Sequence, residues 1–113
     1  ADTWNQRVEV FAPDTSGLGF TFQLSWPVSA WYGQSLSNKP YLALGPQDAV
    51  FVTDPEGLRV LEFDAQRQFQ RAWESSGSGE SAFSLPSGLA LDPSGGAWVS
   101  DAGGNRILHF TLP

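Results

Sequence analysis

Cysteine and methionine are both missing from the 113 residues, and the shortage extends to charge. Without cysteine there is no disulfide framework and no thiol nucleophile. Charged residues make up 16%, below the ~25% usual for soluble domains. Six Lys and Arg stand against twelve Asp and Glu, a net charge of −6, and the basic residues form no run. A phosphate-tracking surface for nucleic acid is therefore not expected. No apolar stretch approaches ~20 residues, so no membrane-spanning helix is expected. No secretory leader is visible, and no helix is expected, because glycine and proline interrupt the chain too often. The first residue is Ala1 rather than Met, which reads as a processed form or a piece of something longer.

What is abundant is turn and ring chemistry: twelve Gly, eight Pro, eight Phe and five Trp. These residues fall into a phrase written three times: Asp, four residues, Arg, then an aliphatic-bearing strand closing on Phe. It runs Asp2 to Arg7 to Phe11, Asp54 to Arg59 to Phe63, and Asp101 to Arg106 to Phe110. Each phrase is a polar turn followed by a strand with apolar residues at alternate positions. The second and third phrases lie 47 residues apart, a spacing of propeller blades and solenoid units. The register holds more widely, since Phe22 and Phe69, Gln23 and Gln70, Trp26 and Trp73 share the same offset. Between the first two phrases the spacing is 52, so five extra residues belong in the turn at 13–19 or the connector at 27–39.

The strands expected are 7–11, 20–26, 41–44, 49–53, 59–63, 69–73, 85–91, 97–100 and 106–110. The apolar run Ala49 to Thr53 suggests a strand buried on both faces. Residues 75–80 have a linker's composition. Yet Trp73 to Pro86 matches Trp26 to Pro40 within one residue, which reads as a loop inside the repeat. Four strands per period make a four-stranded meander, the blade of a β-propeller. The fold class expected is all-β, with blades incomplete in one chain: a single repeat region over 1–113, a half blade at 1–26, a full blade at 40–73 and a partial blade at 86–113.

These residues resemble the NHL-repeat family of β-propellers. The resemblance rests on Leu85-Pro86-Ser87-Gly88-Leu89-Ala90-Leu91-Asp92, on Trp98-Val99-Ser100-Asp101, and on Asn105-Arg106-Ile107-Leu108-His109-Phe110. The middle unit departs at Tyr41-Leu42, at Gly45 and at Leu58, which stands where the pattern has Asn. The first unit keeps only the second half. The nine strands count as about two blades plus one strand, and the resemblance implies a propeller fragment of a kind whose cassettes are appended to extracellular or membrane-associated proteins. It does not fix a function, because one fold serves many roles.

The pairs Asp2/Arg7, Asp54/Arg59 and Asp101/Arg106 read as scaffold, since a catalytic pair would occur once rather than in every unit. His109, the single histidine, reads as a strand-surface residue. The acidic turn residues Asp14, Asp48, Asp64 and Glu80 read as solvated loop charges. Trp26 and Trp73 occupy equivalent positions and read as packing. Trp4, Trp31 and Tyr32 are not repeated and form a possible ligand surface, since aromatic faces stack on sugars. No phosphate loop, zinc spacing or nucleophile elbow occurs, so no cofactor, metal or catalytic residue is assigned.

Two blades alone would leave apolar faces open. The expectation is a non-enzymatic binding or assembly scaffold whose partner is itself, as a trimer completing six blades or as a dimer, or else the rest of a longer propeller. The alternatives are a glycan-binding module using Trp31 and Tyr32, and a metal-dependent propeller enzyme of lyase or lactonase type, as the resemblance allows. Neither nucleic acid nor membrane insertion is expected.

Overall fold

The structure is a computed structural model, and it describes residues 1–35, 37–74 and 82–112. The described chain is all-β, with nine strands in three antiparallel sheets. It forms two compact units, residues 1–33 and 34–113.

The first unit is a hairpin of β1 (Arg7–Pro13) and β2 (Phe20–Pro27). Both strands run past their expected ends, and the turn between them closes at Asp14 and Gly19. The Asp14 carboxylate accepts the Ser16 N–H at 2.9 Å, and Gly17 takes the positive φ that the turn requires. Val8 pairs with Trp26 and Val10 with Leu24, but Phe11 pairs with Phe22, so Gln23 is the extra residue of a β-bulge. Phe11 and Phe22 meet edge to face at 5.9 Å. A 3-10 turn, Ser29–Trp31, follows, and Val28 and Trp31 are buried.

The second unit holds two sheets. One is β3 (Leu42–Leu44), β4 (Val50–Asp54), β5 (Arg59–Phe63) and β6 (Phe69–Glu74), in sequence order. The other is β7 (Pro86–Leu91), β8 (Gly96–Asp101) and β9 (Arg106–Thr111), also in order. Each is a meander, as short hairpin connections dictate. Strand β4 is buried along its whole length, as its apolar run predicts. Tyr41 lies just outside β3 and is tied to Thr53, whose hydroxyl accepts the Tyr41 N–H at 2.8 Å. The bulge of the first hairpin recurs in β6: Glu62 pairs with Arg71 and Phe63 with Phe69, leaving Gln70 unpaired opposite β5.

The recurring bulge locates the five extra residues. Phe63 and Phe69 are six apart in sequence, whereas their counterparts Phe11 and Phe22 are eleven apart. The insertion therefore lengthens the β1–β2 hairpin itself, and the connector at 27–39 holds none of it. The stretch 75–80 lies outside the described residues.

Alternation gives each sheet two faces. In the four-stranded sheet Phe51, Val60 and Trp73 share one face, which meets Leu89, Leu91, Val99, Leu108 and Phe110 of the three-stranded sheet, with Phe83 beside them. Phe51 and Trp73 lie 5.3 Å apart, and Phe83 and Phe110 5.4 Å. This apolar layer stabilises the unit by removing several large side chains from water, each worth ~2 kcal/mol. The Thr53 hydroxyl also donates to the Ser87 carbonyl at 2.8 Å, tying one sheet to the other.

Candidate functional site

The repeated Asp and Arg are paired residues at the two ends of a tight turn. Asp54 faces Arg59 across β4 and β5, Asp101 faces Arg106 across β8 and β9, and Asp2 and Arg7 form an isolated bridge. In each copy Arg Nε donates to one carboxylate oxygen, at 2.8 Å for Asp2, 2.7 Å for Asp54 and 3.0 Å for Asp101. The second oxygen is also occupied. Asn5 Nδ2 donates to Asp2 Oδ1, Gly57 N–H and Gln34 Nε2 to Asp54 Oδ1, and the Ser84 and Leu85 N–H groups to Asp101 Oδ1. A side chain at Gly57 or Gly104 would run into the carboxylate, which is why those positions carry none. The residue before each Arg turns left-handed: Gln6, Leu58 and Asn105 have φ of 56, 54 and 50°.

At Asp2 and Asp101 the donors hold the carboxyl below its ordinary range. Burial of Asp101 pushes its pKa up and is the largest single effect. The N–H groups of Leu85 and Ser84 together with Arg106 outweigh it, so the net shift is downward. For Asp2 the Asn5 hydrogen bond is the first cause of a lowered value and Arg7 the second. A carboxylate saturated with donors in this way is a clip for a turn, and the three clips lie in three different hairpins.

The ring residues separate. Trp4 and Tyr32 are exposed, whereas Trp31 is buried. The reading of Trp31 as part of a ligand surface is corrected accordingly: its ring is packed and has no face to offer. Of the acidic turn residues, Asp14 and Asp64 do more than meet solvent, since Asp14 Oδ1 accepts the Ser16 N–H and Asp64 Oδ1 the N–H groups of Gln66 and Gln68, while Glu80 lies outside the described residues.

The open face of the three-stranded sheet carries a further cluster. Trp98 and His109, paired across β8 and β9, stack with ring centroids 4.2 Å apart and planes at 29°. Asp92, in the turn between β7 and β8, accepts from Trp98 Nε1 at 3.1 Å and lies 3.3 Å from His109 Nε2. The Ser94 hydroxyl and the Gly96 N–H hold the Asp92 carboxyl far below the usual range, with Trp98 and the Ser94 N–H adding to them. Ile107 and Ala90 extend this face, and both are exposed. Their counterparts one repeat earlier behave differently. Val60 is 0% exposed while Ile107 is 69% exposed, and Phe51 is 2% exposed while Trp98 is 46%. The 47-residue offset that links these residues was the signal in the sequence: it pairs Trp98 with a core Phe and Ile107 with a core Val.

A groove of about 660 Å³ runs beside Phe51, lined by Gln47, Glu62, Asp64, Gln70 and Arg71. Its polar groups are engaged with one another, Arg71 Nε on Glu62 at 2.6 Å and Gln70 Nε2 on Asp64 at 2.6 Å. Among the described residues no three His, Asp or Glu side chains converge as metal ligands.

A four-stranded meander packed face to face on a second meander is the blade architecture of a β-propeller. Residues 83–110, which take in β7, β8 and most of β9, match the family model of the NHL repeat. No curated protein matches the chain.

Proposed function

We propose that this protein is a non-enzymatic blade scaffold that works by binding and assembly, with further copies of itself as its partner. The observation that supports this reading is the uncovered face of β7–β9. Phe51 and Val60 are buried against a neighbouring sheet, and Trp98 and Ile107, the equivalent positions one repeat later, are exposed. Exposed apolar surface arranged as a sheet face marks an interaction site. The Asp–Arg clips support a scaffold role rather than a reactive one, because their acceptor positions are filled by the chain's own donors.

Light scattering coupled to size exclusion tests the reading. The expected result at micromolar concentration is a mass that is a multiple of 12.2 kDa. A folded, monodisperse monomer overturns it.

A further inference from the structure

We infer that the self-association is head to tail: the β7–β9 face of one copy packs on the Phe11/Phe22 face of the β1–β2 hairpin of the next. This rests on the assembly reading above and adds which surfaces meet and with what symmetry.

The template lies inside the chain. The face of the four-stranded sheet bearing Phe51 and Val60 packs on the opposite type of face of the next sheet, bearing Val99, Leu108 and Phe110. Call these the leading and trailing faces. The leading face of β7–β9 carries Ala90, Trp98 and Ile107, and all three are exposed. The trailing face of the first hairpin is found through the repeated bulge. Phe11 and Phe22 correspond to Phe63 and Phe69, which pair on the trailing face of the four-stranded sheet. Phe63 is buried, while Phe11, Phe22 and the adjoining Phe20 are exposed.

One chain thus exposes one leading and one trailing face, the two halves of an inter-sheet contact it already makes internally. The two faces themselves carry little unpaired charge. Glu9 is paired with Arg7 at 2.8 Å, and the leading face carries only His109 as a titratable group besides its partner Asp92 in the turn. A contact between unlike surfaces is heterologous, and repeated it closes a ring or propagates as a filament. Simple exchange of an outer strand fits less well, because β2 is already paired with β1 inside its own hairpin.

Two single variants and their mixture test the geometry. Ile107→Glu blocks the leading face and Phe22→Glu the trailing face, and both sites are exposed enough to leave the fold intact. Near-ultraviolet circular dichroism checks that, and Trp98→Ser and Phe11→Ser form a second pair should either Glu variant lose its fold. Each variant alone should associate at least about tenfold more weakly than the parent. Mixed in equal amounts, they should form a dimer of one copy each, since one good leading face and one good trailing face remain. If only one variant loses association, or the mixture stays monomeric, the head-to-tail contact is wrong. If both variants associate like the parent, the faces named here are wrong while self-association stands. A monomeric parent protein overturns the assembly reading, and this inference with it.

Discussion

Asp54 sits at the end of β4 almost wholly removed from solvent, and its two oxygens receive Arg59 Nε, the Gly57 N–H and Gln34 Nε2. Deleting that carboxylate strands three donors, one of them charged, in a place water barely reaches. Asp54→Ala should lower the unfolding free energy by about 3 kcal/mol in urea titrations. Asp2→Ala, in the solvent-facing copy of the same clip, should cost clearly less. Asp101 adds a pH dependence. Its folded-state pKa is lowered, so the folded protein holds its proton less tightly than the unfolded chain does. The resulting stability is fully present above the unfolded carboxylate's value of about 4 and is lost as pH falls below it. Melting temperature should therefore fall steeply on acidification, and Asp101→Asn should flatten that acid limb while lowering stability at neutral pH.

Elements carry the repeat, and they show where it is imperfect. Leu58 occupies the left-handed position that Asn105 fills in the next repeat. A leucine there crowds its Cβ against the backbone, whereas Asn tolerates the conformation. Leu58→Asn should raise stability by about 1 kcal/mol, read as an upward shift in the urea midpoint. The strands β5 and β9 offer a second comparison. Val60→Ala removes packed methyl groups from the inter-sheet layer and should cost about 2 kcal/mol. Ile107→Ala, at the equivalent position on an uncovered face, should leave monomer stability within about 0.5 kcal/mol. The same offset that pairs these residues made the nine strands legible, because turn residues and alternating apolar positions recur together. The bulges at Gln23 and Gln70 were not legible as bulges, since a bulge changes pairing without changing the pattern of one strand read alone. The burial of Trp31 escaped for a related reason: an unrepeated aromatic gives no sign of whether packing or solvent claims it.

For the whole molecule the deciding balance is between apolar sheet faces and a net charge of −6. Like charge opposes association between copies, and salt screens it, with a Debye length near 30 Å at ~0.01 M falling to about 3 Å at ~1 M. Raising ionic strength should therefore increase the weight-average mass at fixed concentration, as sedimentation equilibrium would read it. An assembly held mainly by ion pairs would respond in the opposite direction. The clips have a final consequence, and it concerns time rather than energy. Each joins residues only five positions apart in sequence, so its closing forfeits little chain freedom and needs no distant segment. Both units hold at least one, which gives each its own early-forming turn. The slow part of folding then lies in docking one sheet on another, the step that buries Phe51 and Val99.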